Sequence, residues 1–314
     1  MRKKMAYVMA AGLAAATAAC SSNSSTSVPP TTASIQPSSD TSNSSSTTAA
    51  SGQGSGPVDV LYAGSLVKVM TDGIGPAFHS ATGYTFTGTS GDSGTLANEI
   101  KGKTTVADVF ISASPAKDQL LEGAANGNQV TWYATFATSP LVLGYNPNSK
   151  FAQGLRTEPW YQSINQSGLL LGRTDPATDP KGKLTETALT TAATTFNEPA
   201  LKSDASNSSE VFPETTLVGR MQSGQLDAGF FYQVEATVAH IPFVPVTGVG
   251  TQQAVYTITV VENAPHRAAA NAFVTYLLGS AGQQLLTSDG LVLTKPATVS
   301  GTAPASLQTV LSGM

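Results

Sequence analysis

The chain has 314 residues, a formal net charge of −4 and only 11% charged residues. That balance offers no basic stripe to a nucleic-acid backbone, and a single cysteine, Cys20, excludes an internal disulfide. Were the ligand an anion, bulk electrostatic steering would not hold it, and local donors must do so.

The N-terminus reads as a processing signal. Arg2, Lys3 and Lys4 precede an apolar run over 5–16, too short to span a bilayer, and Thr17-Ala18-Ala19 leads into Cys20. Residues 1–19 are therefore expected to be a signal peptide. The small-residue site resembles the lipobox of bacterial lipoproteins, with Thr17 where Leu is usual. It implies cleavage before Cys20 and lipidation of its thiol. A plain signal peptide with an incidental cysteine is the alternative. Residues 20–56 continue in Ser and Thr with one charge, Asp40. They hold too little apolar surface to pack and are expected to form a disordered tether, reaching roughly 35 Å as a random coil.

From Val58 onward short β-rich runs alternate with helical stretches, which predicts an α/β fold with mostly parallel sheets. Strands are predicted over 58–62, 84–89 and 107–112, each followed by a helix, over 66–81, 95–101 and 115–122. A strand over 141–145 and a buried one over 169–172 come next, then a helix from Leu184 and a polar loop over 197–209. A short strand at Val211 and Phe212 and a helix over 216–222 follow. Strands over 228–232, 243–246 and 255–261 precede terminal helices over 268–278 and 281–286.

Two segments bear on chemistry first. Ala63-Gly64-Ser65-Leu66 and Gly91-Asp92-Ser93-Gly94-Thr95 each follow a predicted strand and open a predicted helix. A helix start presents unpaired N–H groups and the positive end of the dipole, and a Ser adds a hydroxyl donor. Two such corners suit one small oxyanion. Ordinary N-capping is the plainer explanation of each.

Taken in order, Ala-Gly-Ser-Leu, Ser-Gly-Thr-Leu-Ala-Asn-Glu-Ile, Ala-Asp-Val-Phe-Ile-Ser-Ala, Leu-Val-Leu-Gly-Tyr, Asp-Pro-x-x-x-Pro-x-Gly and Gly-x-x-Asp-x-Gly-Phe-Phe-Tyr resemble the molybdate/tungstate-binding proteins of bacterial and archaeal ABC importers. The resemblance runs from about Val58 to Lys295. It implies a type II periplasmic-binding-protein-like fold of two α/β lobes, 57–138 with 255–314 and 139–254, joined by a two-strand hinge. It also implies that Ser65 and Ser93 hold the ligand through hydroxyl and backbone N–H groups, Lys181 through its backbone N–H and Tyr232 through its phenol. These positions agree with the general siting of ligands beyond the carboxyl ends of strands.

Asp179 and Glu214 match positions that are acidic in the tungstate-type branch. Carboxylates repel a dianion strongly in a partly dry cleft. They make sense there when their oxygens bond the Mo(VI) or W(VI) centre, expanding a four-oxygen ion toward six-coordinate, since hard metals favour oxygen ligands. Sulfate cannot expand this way. A turn residue before Pro180 and a first-turn helix acid are the plainer explanations of Asp179 and Glu214.

Three competing readings carry less. A serine hydrolase built on Gly91-Asp92-Ser93-Gly94 has only His79 upstream of Ser93 and the wrong fold class. A site for sulfate, phosphate or a small organic acid is a second, with the two acids arguing against sulfate and the absence of a clear Arg clamp against organic carboxylates. A hard-cation site of Ser, Asp, Glu and Tyr oxygens is lean in carboxylates. Asp108 is expected to hold backbone donors near the cleft floor, and the three histidines to be surface or satisfied polar residues. The sequence thus points to a monomeric, extracytoplasmic, lipid-anchored binding protein. It is expected to have no enzymatic activity and no cofactor, to partner a small oxyanion and an ABC transporter permease, and to bind no nucleic acid.

Overall fold

The structure, a computed structural model, describes residues 54–314. The signal-peptide and Cys20 predictions, and all but the end of the predicted tether, lie outside the described residues. Nine strands run in chain order as β1 (Pro57–Ala63), β2 (Thr85–Gly91), β3 (Val109–Ser112), β4 (Trp132–Tyr145), β5 (Leu171–Gly172), β6 (Ala228–Tyr232), β7 (Phe243–Pro245), β8 (Gln253–Val260) and β9 (Val292–Gly301). Helices flank them, as the alternating pattern predicts. No helix among the described residues is long and apolar enough to cross a membrane.

β1 is buried along nearly its whole length because it is central: β2 pairs with it in parallel on one side and β3 on the other. β8 then joins β3 antiparallel, and β4 joins β8. β4 is the organising strand. Up to Pro140 it pairs with β8 and β9, and from Leu141 to Tyr145 it pairs with β6 and β7. The chain returns beside this crossing, where Leu141 N–H donates to the Gln252 carbonyl at 2.8 Å and Pro140 lies opposite Gln253. The α/β class holds, but the sheets are mixed rather than mostly parallel. Only the β1–β2, β1–β3 and β5–β6 pairings are parallel, because β4 and β8 run back through the middle.

Several element predictions are corrected. The expected loop over 197–209 contains a helix, Ala200–Ser206, which buries Leu201 and Ala205 one turn apart. β4 begins nine residues before the predicted strand at Leu141; Pro140, which discourages extension, sits where the strand passes from one set of partners to the other. The expected strand at Val211 is a single bridge to Arg173. The helices over 268–288 are not terminal, since β9 and a helix over Ala305–Ser312 follow. β9 was hidden by Pro296, which lacks an N–H for a ladder. It falls in the gap between the two paired stretches of β9, where the register against β4 shifts.

The core lies against the central strands. Phe78 packs edge-on against Phe273 with ring centroids 5.2 Å apart, and Phe86 stacks on Phe273 at 5.8 Å. Away from the cleft, an acid is buried against the sheet. Asp118, on the helix Pro115–Gln119, is fully buried; Thr257 Oγ1 donates to its Oδ2 at 2.5 Å and its Oδ1 has no partner. Burial pushes this carboxyl up to about 8, against the Thr257 hydrogen bond. In the unfolded chain it ionises near pH 4. The folded state therefore holds the extra proton, and this group's contribution to stability falls as pH rises from about 4 through about 8. Asp118→Asn is expected to lose less Tm between pH 5 and pH 8 than the wild type, by on the order of 10 °C at ~2–4 °C per kcal/mol. Parallel pH slopes in calorimetric melts of the two proteins would contradict this.

Candidate functional site

The carboxyl ends of β1, β2, β5 and β6 face one cleft, and each leads toward a helical turn that begins there. β1 runs into the short turn Gly64–Leu66, and β2 into the helix Ser93–Gly102 behind its N-cap Asp92. Both predicted serines are buried at these corners. Ser65 Oγ accepts from the Tyr256 hydroxyl at 2.9 Å, and Ser93 Oγ accepts from Ala113 N–H at 3.2 Å. Each oxygen is engaged as an acceptor, so each Ser keeps its own O–H proton for another partner.

Opposite them three helices start together: Pro180–Thr195, Glu214–Gln222 and Gln233–Val238. Their positive ends favour acids, and each carries one. Asp179 is the N-cap of the first, its Oδ1 accepting from Lys181 N–H at 2.9 Å. Glu214 opens the second, its Oε2 accepting from Gly64 N–H across the cleft at 2.8 Å. Glu235 lies in the first turn of the third. Its Oε2 accepts from Tyr232 N–H at 2.8 Å, and both its oxygens accept from the Lys181 ammonium, at 2.7 and 2.8 Å. Lys181 Nζ also stands 3.4 Å from Glu214 Oε1, an ion pair without hydrogen-bond geometry.

The first-turn role considered for Glu214 is therefore real, and Asp179, expected as a turn residue ahead of a helix from Leu184, caps a helix that already starts at Pro180; both roles are incomplete. A cap or a first-turn acid uses one oxygen. The second oxygens, Asp179 Oδ2 and Glu214 Oε1, and the Tyr232 hydroxyl are buried without a hydrogen-bond partner within reach among the described residues, although Thr174 lies near enough to Asp179 to ease its charge. Such unpartnered groups cost on the order of 1–3 kcal/mol each. Asp92, Asp179 and Glu214 each bring one oxygen within 4.8 Å of the others. The arrangement can present oxygen ligands on one side and hydroxyl and N–H donors on the other.

Electrostatics follow from the burial. Desolvation pushes the Asp179 carboxyl up to about 6, with Lys181 opposing and Asp92 adding to the rise. Glu214 is pushed well above the usual carboxylate range by burial and then by Asp179, against the pull of Lys181. Burial also raises the Tyr232 and Tyr256 phenols, which stay protonated donors. Burial disfavours the Lys181 ammonium, but Glu235, Glu214 and Asp179 together outweigh it and keep the charge on.

The two sides touch directly. Gly94 N–H donates to the Thr178 carbonyl at 2.9 Å and Thr178 Oγ1 donates to Asp92 Oδ2 at 2.8 Å. Glycine is required at Gly94, where a Cβ would overlap the Thr178 carbonyl, and at Gly64 a Cβ would stand 2.7 Å from Glu214 Oε2 and displace that side chain. The cleft is shut in this arrangement, with Ser65, Ser93, Asp179, Lys181, Glu214 and Tyr232 all buried.

The structure thus brings all six predicted ligand residues into one place. It adds four the sequence reading passed over: Asp92, Thr178, Glu235 and Tyr256. Tyr256 lies inside β8, where an aromatic reads as core; Glu235 reads as an ordinary first-turn acid. Asp108 is a correction. It does hold backbone donors, accepting from Asp59 N–H at 2.8 Å and His266 N–H at 2.7 Å, but at the opposite end of β1 from the cleft. No histidine among the described residues hydrogen-bonds to Ser93. His79 Nδ1 meets the Tyr84 carbonyl, and His266 Nδ1 lies 2.9 Å from Asp108 Oδ2.

Residues 58–292 match the family model described as bacterial extracellular solute-binding protein. Among relatives, a Haloferax volcanii protein provisionally named ABC transporter molybdenum-binding protein is 31% identical over 61% of this chain and 60% of its own length. A Thermococcus kodakarensis molybdate/tungstate-binding protein is 21% identical over 58% of this chain and 66% of its own. The chain spans about 60% of the length of the first of these relatives. Among solved structures, the Azotobacter vinelandii periplasmic molybdate-binding protein aligns at a TM-score of 0.60 and 19% identity, over 76% of this chain and all of its own. The Mycobacterium tuberculosis sulfate-binding protein aligns at 0.57 and 15%, over 76% and 88%. At such identities these two likenesses speak for the fold alone.

The unpartnered Tyr232 hydroxyl yields a direct test. Tyr232→Phe removes a buried polar group that has no partner, so the ligand-free protein is expected to melt no lower than the wild type. A drop of several degrees would show that the hydroxyl is already satisfied.

Proposed function

Since the chain belongs to the bacterial extracellular solute-binding proteins, we propose that it captures molybdate or tungstate outside the cytoplasm and hands it to an ABC transporter permease. Ser65 and Ser93 donate to oxo groups from one lobe, 57–138 with 255–314. From the other, 139–254, the Tyr232 phenol donates, the Lys181 N–H adds a donor, and Asp179 and Glu214 bond the metal centre. The lobes close over the ligand about β4 and the start of β8. Lipidation of Cys20 tethers the protein as a monomer to the membrane surface. The ligand is cargo; no cofactor and no catalytic step are part of this reading.

One observation carries it. Two buried carboxyl groups each keep one oxygen without a hydrogen-bond partner, beside hydroxyls that still have protons to give. A carboxylate facing the rim of a dianion is repelled. A carboxylate bonded to a hard, high-valent centre is a ligand. Sulfate has no such centre to offer, so the acids select against it. A hard cation held by Asp92, Asp179 and Glu214 is the other reading that the oxygen cluster favours. The Lys181 ammonium 3.4 Å from Glu214 weighs against it.

Ligand binding to the folded state raises stability by linkage. Tungstate and molybdate are expected to raise Tm by many degrees at millimolar concentration, and sulfate, phosphate and calcium by little. Equal shifts with all the oxyanions would contradict metal ligation, and a shift with calcium alone would favour the cation. Glu214→Gln is expected to weaken tungstate at least ~10-fold, about 1.4 kcal/mol, in calorimetry, and to leave sulfate unchanged or improved. The reverse order would contradict the assignment.

A further inference from the structure

The resemblance assigns Lys181 only a backbone N–H, yet its side chain is the most completely enclosed cation among the described residues of the cleft. It enters from the second position of the helix Pro180–Thr195 and reaches the starts of the other two helices. Glu235 takes the ammonium on both oxygens, and Glu214 Oε1 lies 3.4 Å from it. The same residue's N–H fixes Asp179 Oδ1. One residue thus touches all three acids of this side of the cleft, and the Tyr232 ring lies 5.7 Å from its Nζ.

Glu235 cannot itself be a ligand in this geometry. Its oxygens are taken by Lys181 and by Tyr232 N–H. Its carboxylate anchors the ammonium. Glu214 differs: Gly64 holds Oε2, and Oε1 has the ammonium beside it but no hydrogen bond. The ammonium pulls Glu214 toward its ionised form, against burial and Asp179, without occupying the oxygen that is to bond the ligand. A hydrogen bond there would block that oxygen; no cation at all would leave a bare buried carboxylate next to Asp179 and a dianion, which is strongly unfavourable.

We propose that the Lys181 ammonium, clamped by Glu235, is a specificity-determining group of the cleft: it positions Glu214 Oε1 as a free carboxylate oxygen for the metal centre of molybdate or tungstate. This rests on the function proposed above. Lys181 acts through Glu214 and is a positioning residue, not a ligand through its side chain.

The test compares the full chain with Lys181→Met/Glu235→Gln and with Glu235→Gln alone, by calorimetry against sodium tungstate and sodium sulfate and by melts without ligand. The double substitution removes the ammonium together with its clamp, so no lone charge from the pair remains buried. Without ligand Glu214 takes a proton in place of the lost counter-charge, so the variant is expected to melt within a few degrees of the wild type, and to bind tungstate at least ~10-fold more weakly, the scale of a lost charged interaction. Glu235→Gln alone leaves the ammonium to Glu214 and is expected to keep tungstate affinity within about threefold, the upper part of the range for weak pairs. Wild-type affinity in the double variant overturns the proposal, as does an equal loss in Glu235→Gln, which marks the pair as scaffolding. A wild-type protein that does not prefer tungstate to sulfate overturns the proposed function itself, and this inference with it.

Discussion

The cleft is governed by the removal of carboxyl groups from water around the buried Lys181 ammonium. Asp179, Glu214 and Glu235 stand at the starts of three helices, Asp92 faces them at the start of a fourth, and Lys181 is the cation among them. A buried ion pair is weak evidence for stability, because desolvation offsets most of the attraction. What such an arrangement does supply is orientation. Asp179 and Glu214 are each held by one oxygen, to Lys181 N–H and to Gly64 N–H, while Glu235 gives both to the ammonium, and the site's chemistry depends on the two oxygens left over.

That constraint reaches into the fold. Helix N-termini converge because the strands that precede them end on the same side of the sheets, and β4, shared between two sets of partners, sets those sheets side by side. The glycines at 64 and 94 allow the two sides to meet closely enough for Glu214 and Thr178 to cross the cleft. Asp179, Glu214 and Tyr232 each bury a polar atom that no group among the described residues hydrogen-bonds, at a cost to the fold. With no disulfide available, the aromatic layer of Phe78, Phe86 and Phe273 and the apolar strands must offset that cost. A ligand that satisfies the three groups converts a penalty into affinity, and so favours the closed state.

Much of this was legible in the sequence. Strand–serine–helix corners at Ser65 and Ser93 follow from local pattern, whereas Asp179 and Glu214 are singled out by the resemblance to the tungstate-type branch, since on local pattern alone they read as a turn residue before Pro180 and a first-turn acid. What escaped did so for physical reasons. The polarity of 197–209 hides a helix whose only apolar anchors are Leu201 and Ala205. Pro296 breaks the strand pattern of β9 at the point where its pairing breaks. Asp108 sits beside a buried strand at either end of which an acid could serve, and only the three-dimensional structure shows which. Lys181 and Glu235 are 54 residues apart, and no periodicity relates them. Their pairing exists only once the two helix starts meet.

The central claim concerns bonding at the ligand's metal atom, and X-ray absorption at the tungsten edge of the tungstate-loaded protein tests it most directly. The account predicts a centre expanded toward six oxygen neighbours, two of them longer and supplied by carboxylates, with the longer shell reduced in Glu214→Gln. A tetrahedral centre indistinguishable from free tungstate, unchanged by that substitution, would contradict it.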